Sequence, residues 1–466
     1  MAVFTREQLE PLSKGELIEI ILKLDARVTA LEAQLREVHS AKAPFGKGKR
    51  KAHPKRPGRR AGEGKFSRRS KPVAGPGDVV QHLAASLAED QRNCPECHTP
   101  LVTHHEEVTV EDMPERPRRV IKHVSVEVGK CPLCGFTARG HHPCMRTHQR
   151  GANAHQLGPR VLAHALALHY DRGLPLRKVP KVIEELTGIT LSQSALTQQA
   201  GKLCEEGGLM AAHYENLRAE VAGSAVVNTD DTGWRIGATL AFVMGFFTGS
   251  TAYYQIRSRH RHQEVLEVIG EEFAGKLGTD RGKSYEAEAM RAFAMQKCLS
   301  HLLKNLSEVE SGKRGRARSF SRQLKETLRE GLALWQSYQA RELSLASYRR
   351  RGAAIKRALD HQLRRRELDD VDNRRLLKGI GLQHERGRLT LFLQEPDIEP
   401  TNNRAERGLR PVVIARKVSQ CSKNARGARS HAVLRSVFET LRRRTTAVID
   451  SFTGLLSGNP FPSQMG

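Results

Sequence analysis

Two sets of side chains in this sequence have the types and spacing to do chemistry. The first is soft. Four of the eight cysteines form two pairs, Cys94-Pro95-Glu96-Cys97 and Cys131-Pro132-Leu133-Cys134-Gly135. Each Cys-x-x-Cys pair offers two thiolates to one ion, and two such pairs make the tetrahedral set of structural zinc. Gly135 lets the backbone fold tightly beneath the metal. Four thiolates leave no open position, so the expected role is structural; His141, His142 and Cys144 are close enough to compete and are read as bystanders. The second set is hard. Asp230 and Asp231 follow an apolar run, residues 225–227, and Asp280 follows Lys276-Leu277-Gly278-Thr279. A strand that ends in a carboxylate holds an oxygen ligand at the rim of a sheet. The period of two puts Asp230 and Asp231 on opposite faces, so one acid of the pair is expected to act. Asp is also common where a strand runs into a turn. A further carboxylate, Glu406, stands three residues after Asn403 and four before Arg410. From spacing alone a capping box or an ion pair one helical turn on is the favoured reading.

The elements that must position these acids follow from periodicity. After Asp230, strand-like runs at 240–248 and 251–257 flank Gly249-Ser250, which suits a two-residue hairpin. An amphipathic helix is expected over 262–273, with Val265, Leu266, Val268 and Ile269 facing in. A short strand ending at Asp280, a helix around 285–293 and a strand or helix near 295–301 complete the run. Three strands, a helix and a strand ending in Asp is the order of a ribonuclease H-like α/β core. In that core the first and fourth strands are neighbours, so Asp230 and Asp280 can share a divalent ion. Residues 302–390 read as a helical insertion, with basic runs Arg349-Arg350-Arg351 and Arg364-Arg365-Arg366. These fit a DNA-facing side, although a solvated helix face accounts for each charge singly.

The rest of the chain reads as attachments to that core, residues 221–420. Residues 1–40 carry Ser13-x-x-Glu16, a capping-box pattern, then Leu17, Ile21, Leu24, Val28, Leu31, Leu35 and Val38 in alternating steps of four and three. This is a heptad seam, expected to dimerise as a coiled coil. Residues 41–77 form a basic Gly- and Pro-rich linker, expected to be disordered and able to neutralise phosphates. Residues 78–150 make a zinc-ribbon-like domain with a strand around 120–128. Residues 151–220 are helical: an amphipathic stretch at 176–186, a turn at Gly188-Ile189-Thr190, and a helix capped by Ser192 from Gln193 to about Glu205, which fits a helix-turn-helix or an ordinary helical hairpin. Residues 421–466 read as a basic helical tail.

The net charge of +26 points to a polyanionic partner, most simply nucleic acid. Paired Cys-x-x-Cys spacing suits a reducing cytoplasm, and the N-terminus has no signal-peptide core. The longest apolar run, residues 240–247, is far too short to span a bilayer, so no membrane role is expected.

These motifs together resemble those of the bacterial transposases of the insertion-sequence-66 family, across most of the chain. Asp230-Asp231-Thr232-Gly233-Trp234-Arg235 resembles the family's first acid motif, with Asp231 where Glu is usual, and Gly278-Thr279-Asp280 resembles the second. Cys298-x-x-His301 resembles a segment that follows it. Pro400-Thr401-Asn402-Asn403-Arg404-Ala405-Glu406-Arg407 resembles the third and is the most specific string. The resemblance implies a DDE recombinase in which Asp230, Asp280 and Glu406 hold two divalent ions, Mg2+ or Mn2+, with Zn2+ at the paired cysteines. It implies hydrolysis at the ends of an insertion sequence, then strand transfer into target DNA, without a covalent enzyme intermediate. Accessory proteins of the same element and a nucleoid-associated cytoplasmic location go with it. Cys298 and His301 could stabilise the core or approach a metal, and a structural role is expected. The competing readings are an inactive or repurposed DNA-binding protein, a ribonuclease H-like nuclease or resolvase that cuts without joining, and a zinc-ribbon transcription regulator.

Overall fold

A computed structural model describes residues 13–39, 88–102, 119–140 and 156–463, with isolated positions at 11, 73, 80, 142, 144 and 145. The basic linker therefore lies almost wholly outside the described residues. The chain divides into two compact units, residues 1–117 and 118–466. None of the described helices is long and apolar enough to cross a membrane.

In the first unit, α1 runs over Lys14–His39. Its capping box is formed: the Ser13 N–H donates to Glu16 Oε2 at 2.8 Å, and the Glu16 N–H donates to Ser13 Oγ at 3.4 Å. Of the heptad positions, Ile21, Leu24 and Val28 are exposed apolar side chains. Leu31, Leu35 and Val38 lie outside the described side chains. Farther on, the Cys94 N–H donates to Thr99 O and the His98 N–H to Cys94 O, both at 2.9 Å, with His98 at φ 57°.

The second unit opens with the other cysteine turn, built the same way. The Cys131 N–H donates to Phe136 O at 2.7 Å, the Gly135 N–H donates to Cys131 O at 3.1 Å, and Gly135 sits at φ 76°. It joins β1 (Val128–Lys130) to β2 (Thr137–Arg139) as an antiparallel pair. The strand expected from residue 120 begins only at Val128. Its partner is three residues long, so residues 120–127 have no ladder to join.

A helical layer follows: α2 (Pro159–Leu166), α3 (Val179–Thr187), α4 (Gln193–Cys204) and α5 (Leu209–Ala222). Helix α3 stops at Gly188, whose φ of 69° closes the turn, and Ser192 Oγ accepts the Ala195 N–H to start α4. Then comes the sheet: β3 (Val226–Ile236), β4 (Thr239–Phe247), β5 (Ala252–Arg257), α6 (His262–Ile269), β6 (Lys276–Thr279) and β7 (Ala294–Lys297). The strands lie in the order β5-β4-β3-β6-β7. The β3–β4 and β4–β5 pairs are antiparallel, while β3–β6 and β6–β7 are parallel. This mixed α/β sheet is consistent with a ribonuclease H-like core. Between β6 and β7, where a helix was expected, there are two short 3-10 turns, Lys283–Glu286 and Glu288–Met290. Tyr285 and Met290 are buried there and tie the segment down one residue at a time.

The insertion is helical: α7 (Leu299–Ser311), α8 (Arg316–Gln339), α9 (Leu345–Gln362), α10 (Val371–Glu385) and α11 (Leu391–Gln394). It has its own core, including Leu306, Leu324, Leu328, Tyr348 and Phe392. Between α9 and α10 the helical run breaks, and the Asp370 side chain caps the second helix through the Asn373 N–H. The chain then returns to the sheet in α12 (Asn403–Ser419) and α13 (Ala425–Arg444), and α14 (Val448–Leu456) packs on α2 and α13.

Residues 421–466 are helical and basic, but α13 is no tail. It is a buried strut whose Val433, Leu434, Val437 and Phe438 share one core with α2–α5 and the sheet. Its hydroxyls cover the open edge of β5: Ser436 Oγ accepts the Tyr254 N–H at 2.8 Å, and Thr440 Oγ1 accepts the Ala252 N–H at 3.0 Å. An edge strand left bare would pair with other chains, and helix α13 prevents that. Its charge is spent inward as well: Arg442 and buried Arg435 pair with buried Asp171 at 2.7 Å and 3.6 Å.

Candidate functional site: carboxylates at the rim of the central strand

The acids gather at the rim of the sheet because β3 is the strand where the pairing changes sense. On one side β3 pairs with antiparallel β4, in a register that sets Asp230 against Gly245. On the other it pairs with parallel β6, and the last rung joins Asn228 to Gly278. Two residues beyond that rung on each strand stand Asp230 and Asp280, so the register itself aligns them. The opening between parallel strands at their carboxyl ends is where α/β sheets take ligands. Asp230 does not end its strand, as the sequence led one to expect. The strand runs six residues farther because β4 pairs along its length, and the turn falls at Gly237, φ 58°.

The two neighbouring carboxylates face different groups. Asp231 Oδ2 lies 3.2 Å from His260 Nδ1, and the His260 ring stacks on Phe242 at 3.8 Å. Burial raises the Asp231 carboxyl, and His260 works against that rise. Asp230 Oδ1 accepts the Asp231 N–H at 2.9 Å. Its carboxyl is pushed up to about 7, first by burial and then by the negative charge of Asp280, with smaller contributions from Asp231 and Glu406. Three elements thus place negative charge around one carboxyl: β3, the loop after β6, and the first turn of α12. The three carboxylates do not all converge to contact. Among the described residues, the group whose donor atoms all lie within 4.8 Å of one another is Cys298, His301 and Glu406.

Glu406 plays neither of the structural parts its spacing allowed. Helix α12 starts from Asn402 without a side-chain cap. Among the described residues, the ion-pair partner of Glu406 is His301, at 3.8 Å, and not Arg410. What holds the start of α12 is Asn402, which is buried. Its Nδ2 donates to Thr229 O at 2.8 Å, its Oδ1 accepts from Asn228 Nδ2 at 3.3 Å, and its backbone N–H donates to Cys298 Sγ at 3.2 Å. The Cys298 N–H in turn reaches Thr279 O at 2.8 Å, and the Leu299 N–H reaches Pro400 O at 3.0 Å. These bonds stitch β3, β6, α7 and α12 together beneath the acids. Gly278 is required there, since a Cβ at that position would stand 2.3 Å from Asn228 Nδ2.

The loop carrying Asp280 is braced from the other side. Asp280 Oδ1 accepts the Gly282 N–H at 2.7 Å. Buried Lys297 donates to Asp280 O at 3.1 Å and pairs with Glu286 at 2.9 Å. Arg386 and Gln383 also reach Glu286, each at 2.9 Å. Buried Arg388 donates to Tyr285 O and Met290 O. Tyr285 OH lies 3.2 Å from Thr229 Oγ1. None of Asn228, Asn402, Glu286, Lys297 or Arg388 was singled out from the sequence. Asn402 sat inside the most specific motif and could have been found there; the others carry no local signal.

The cysteine turns carry polarised thiols of their own. In each, hydrogen bonds favour the thiolate: Thr99 draws Cys97 down, and the backbone at Cys134 and Leu133 draws Cys131 down. Cys144 Sγ lies 3.0 Å from His142 Nδ1, so these two possible rivals pair with each other.

The fold and site thus define a mixed α/β protein with an acidic centre at the switch point of its sheet, in a strongly basic chain. The family model described as "Transposase IS66 family" matches residues 154–430, more than half of the chain and all three acids. The chain belongs to the IS66 family of transposases, and its function is that of a transposase. No curated protein matches it significantly.

Proposed function

We propose that this transposase cuts and joins DNA at the acidic centre, with Asp230, Asp280 and Glu406 as its working carboxylates in a ribonuclease H-like core. The observation that carries the reading is the carboxyl of Asp230, pushed up to about 7 by burial and by acids on three separate elements. Anionic oxygens gathered at such cost fit a divalent cation, which compensates their repulsion. When bound, magnesium or manganese would supply activation of the attacking oxygen and stabilisation of the leaving one. The protein's own part is placement. Asp230 on β3 and Asp280 beyond β6 are held in register by the sheet, and Glu406 is brought to them by Asn402. In the first step water attacks the phosphorus at the element end, and its bond to the element's 3′ oxygen breaks, leaving a 3′-hydroxyl on the element and a 5′-phosphate on the flanking DNA. In the second, that hydroxyl attacks a target phosphodiester, one P–O bond forming as another breaks.

DNA binding is assigned to the helices. The exposed side chains of α4 include Ser194, Thr197, Gln198 and Lys202, a polar face suited to a groove after the α3–α4 turn. Basic side chains on α8–α10 fit phosphates. Zinc at the Cys94/Cys97 and Cys131/Cys134 turns is proposed on their spacing and on the matching turn at each pair. Self-association through α1 is proposed on its exposed heptad residues.

The test is a magnesium-dependent cleavage and strand-transfer assay on DNA carrying the element's ends, with Glu406→Gln alongside. The wild type is expected to cut and join, and E406Q to bind DNA while doing neither. A wild type that binds and never cuts, with accessory proteins supplied, supports a binding module instead; cutting without joining supports a nuclease. An E406Q variant as active as the wild type removes Glu406 from the site.

A further inference from the structure

We infer that Cys298, His301 and Glu406 form a second and softer metal site, one that takes a zinc-class ion rather than magnesium. The three donors come from two elements, the N-terminus of α7 and the first turn of α12, and their atoms all lie within 4.8 Å of one another. They are a thiol, an imidazole and a carboxylate. Magnesium prefers oxygen alone, whereas sulfur and nitrogen select zinc and its relatives. The site is partly built already. Cys298 is buried, which pushes its thiol up, and the Asn402 N–H that its Sγ accepts at 3.2 Å works against that rise. His301 Nδ1, the nearer nitrogen, points toward Glu406 Oε1 at 3.8 Å. Donors around tetrahedral zinc stand roughly 3.3–3.8 Å apart, so closing the set needs only side-chain rotation. His301 and Glu406 are free to rotate, with side chains 45 % and 37 % exposed. The fixed thiol anchors the ion and the two mobile donors close on it.

Glu406 is common to this set and to the acidic centre, and only that sharing rests on the three-acid reading. An ion seated on Cys298 and His301 draws Glu406 to itself. The pair would then make transposition sensitive to the ratio of zinc to magnesium.

The experiment is cadmium-113 NMR of the full chain after cadmium titration, for the wild type, His301→Ala and Cys298→Ser, with circular dichroism to establish folding. The half-exposed His301 makes H301A the deciding variant. A resonance with the shift of mixed sulfur, nitrogen and oxygen ligation, separate from any all-thiolate signal of the paired cysteines, is expected in the wild type. It should be lost in H301A, with one cadmium equivalent fewer bound, and lost in folded C298S. A spectrum in which no resonance is lost in H301A overturns the inference. The three-acid reading is judged separately: magnesium-dependent cutting without such a resonance sinks the metal site alone, and the resonance without cutting sinks the acids alone.

Discussion

Replacing Asp230 by Asn should make the metal-free protein more stable while abolishing its activity. The Asp230 carboxyl is raised from an ordinary 3.8 to about 7. At ~1.4 kcal/mol per unit, holding it ionised in the folded state costs up to ~4 kcal/mol. The sign follows from which state keeps the proton. Below pH ~4 both states are protonated and nothing is lost. From ~4 to ~7 the folded protein keeps a proton that the unfolded chain has released, so stability falls as pH rises. Above ~7 the full cost is present. Asn cannot ionise, and its oxygen can still accept the Asp231 N–H that Asp230 accepts at 2.9 Å. In EDTA at pH 8, D230N should therefore exceed the wild type by ~2–4 kcal/mol, shrinking to ~1.5 kcal/mol or less at pH 5. At about 2 °C per kcal/mol for a large domain, that is ~4–8 °C in melting temperature at pH 8. The assay is calorimetry or circular dichroism melting at pH 8, 6.5 and 5, then at pH 8 with magnesium. Magnesium should raise the wild type and leave D230N nearly unmoved. A variant melting at or below the wild type at pH 8, or a gap that does not change with pH, would refute the reasoning.

The remaining predictions concern what holds the site up. His431 is buried against Trp234, and burial lowers its pKa to about 3. Below pH 6.5 the unfolded chain gains a proton that the folded one refuses, at ~1.4 kcal/mol per pH unit down to ~3; H431F should lose distinctly less melting temperature than the wild type between pH 7 and pH 5. A Cβ on Gly408 would stand 2.3 Å from the Phe247 ring, where α12 packs against β4. G408A should destabilise by ~1–3 kcal/mol despite the better helix propensity of Ala, read as a lower denaturant midpoint. Lys297→Met removes the buried cation between Glu286 and Asp280 O; with Arg386 and Arg388 still near Glu286, a loss of ~2–4 kcal/mol is expected. The same variant should cut DNA more slowly, and unchanged cleavage would show that the Asp280 loop needs no brace.

Much of the architecture was legible because it is written locally. The Ser13–Glu16 box, the Gly188 stop, the Ser192 cap and the β4–β5 hairpin around Gly249-Ser250 depend on residues a few positions apart, and each formed. The chemical types of the site were legible for the same reason: acids after short apolar runs and paired cysteines are recognisable without neighbours. What the tertiary structure alone decided is which of these residues meet. The spacing of Asn403, Glu406 and Arg410 favoured a cap or an ion pair, and packing formed neither: it buries Asn402 against Thr229 and turns Glu406 toward His301. Residues 425–444 look like a basic tail because their charges are visible and their partners are not; Asp171 lies far off in sequence, yet it pairs with buried Arg435 and draws Arg442 against the core. Lys297 reads as a solvated lysine until Glu286 and Asp280 close around it. Local geometry follows from short-range preferences that a window of sequence contains, whereas a buried charge depends on long-range partners that only the folded chain brings together.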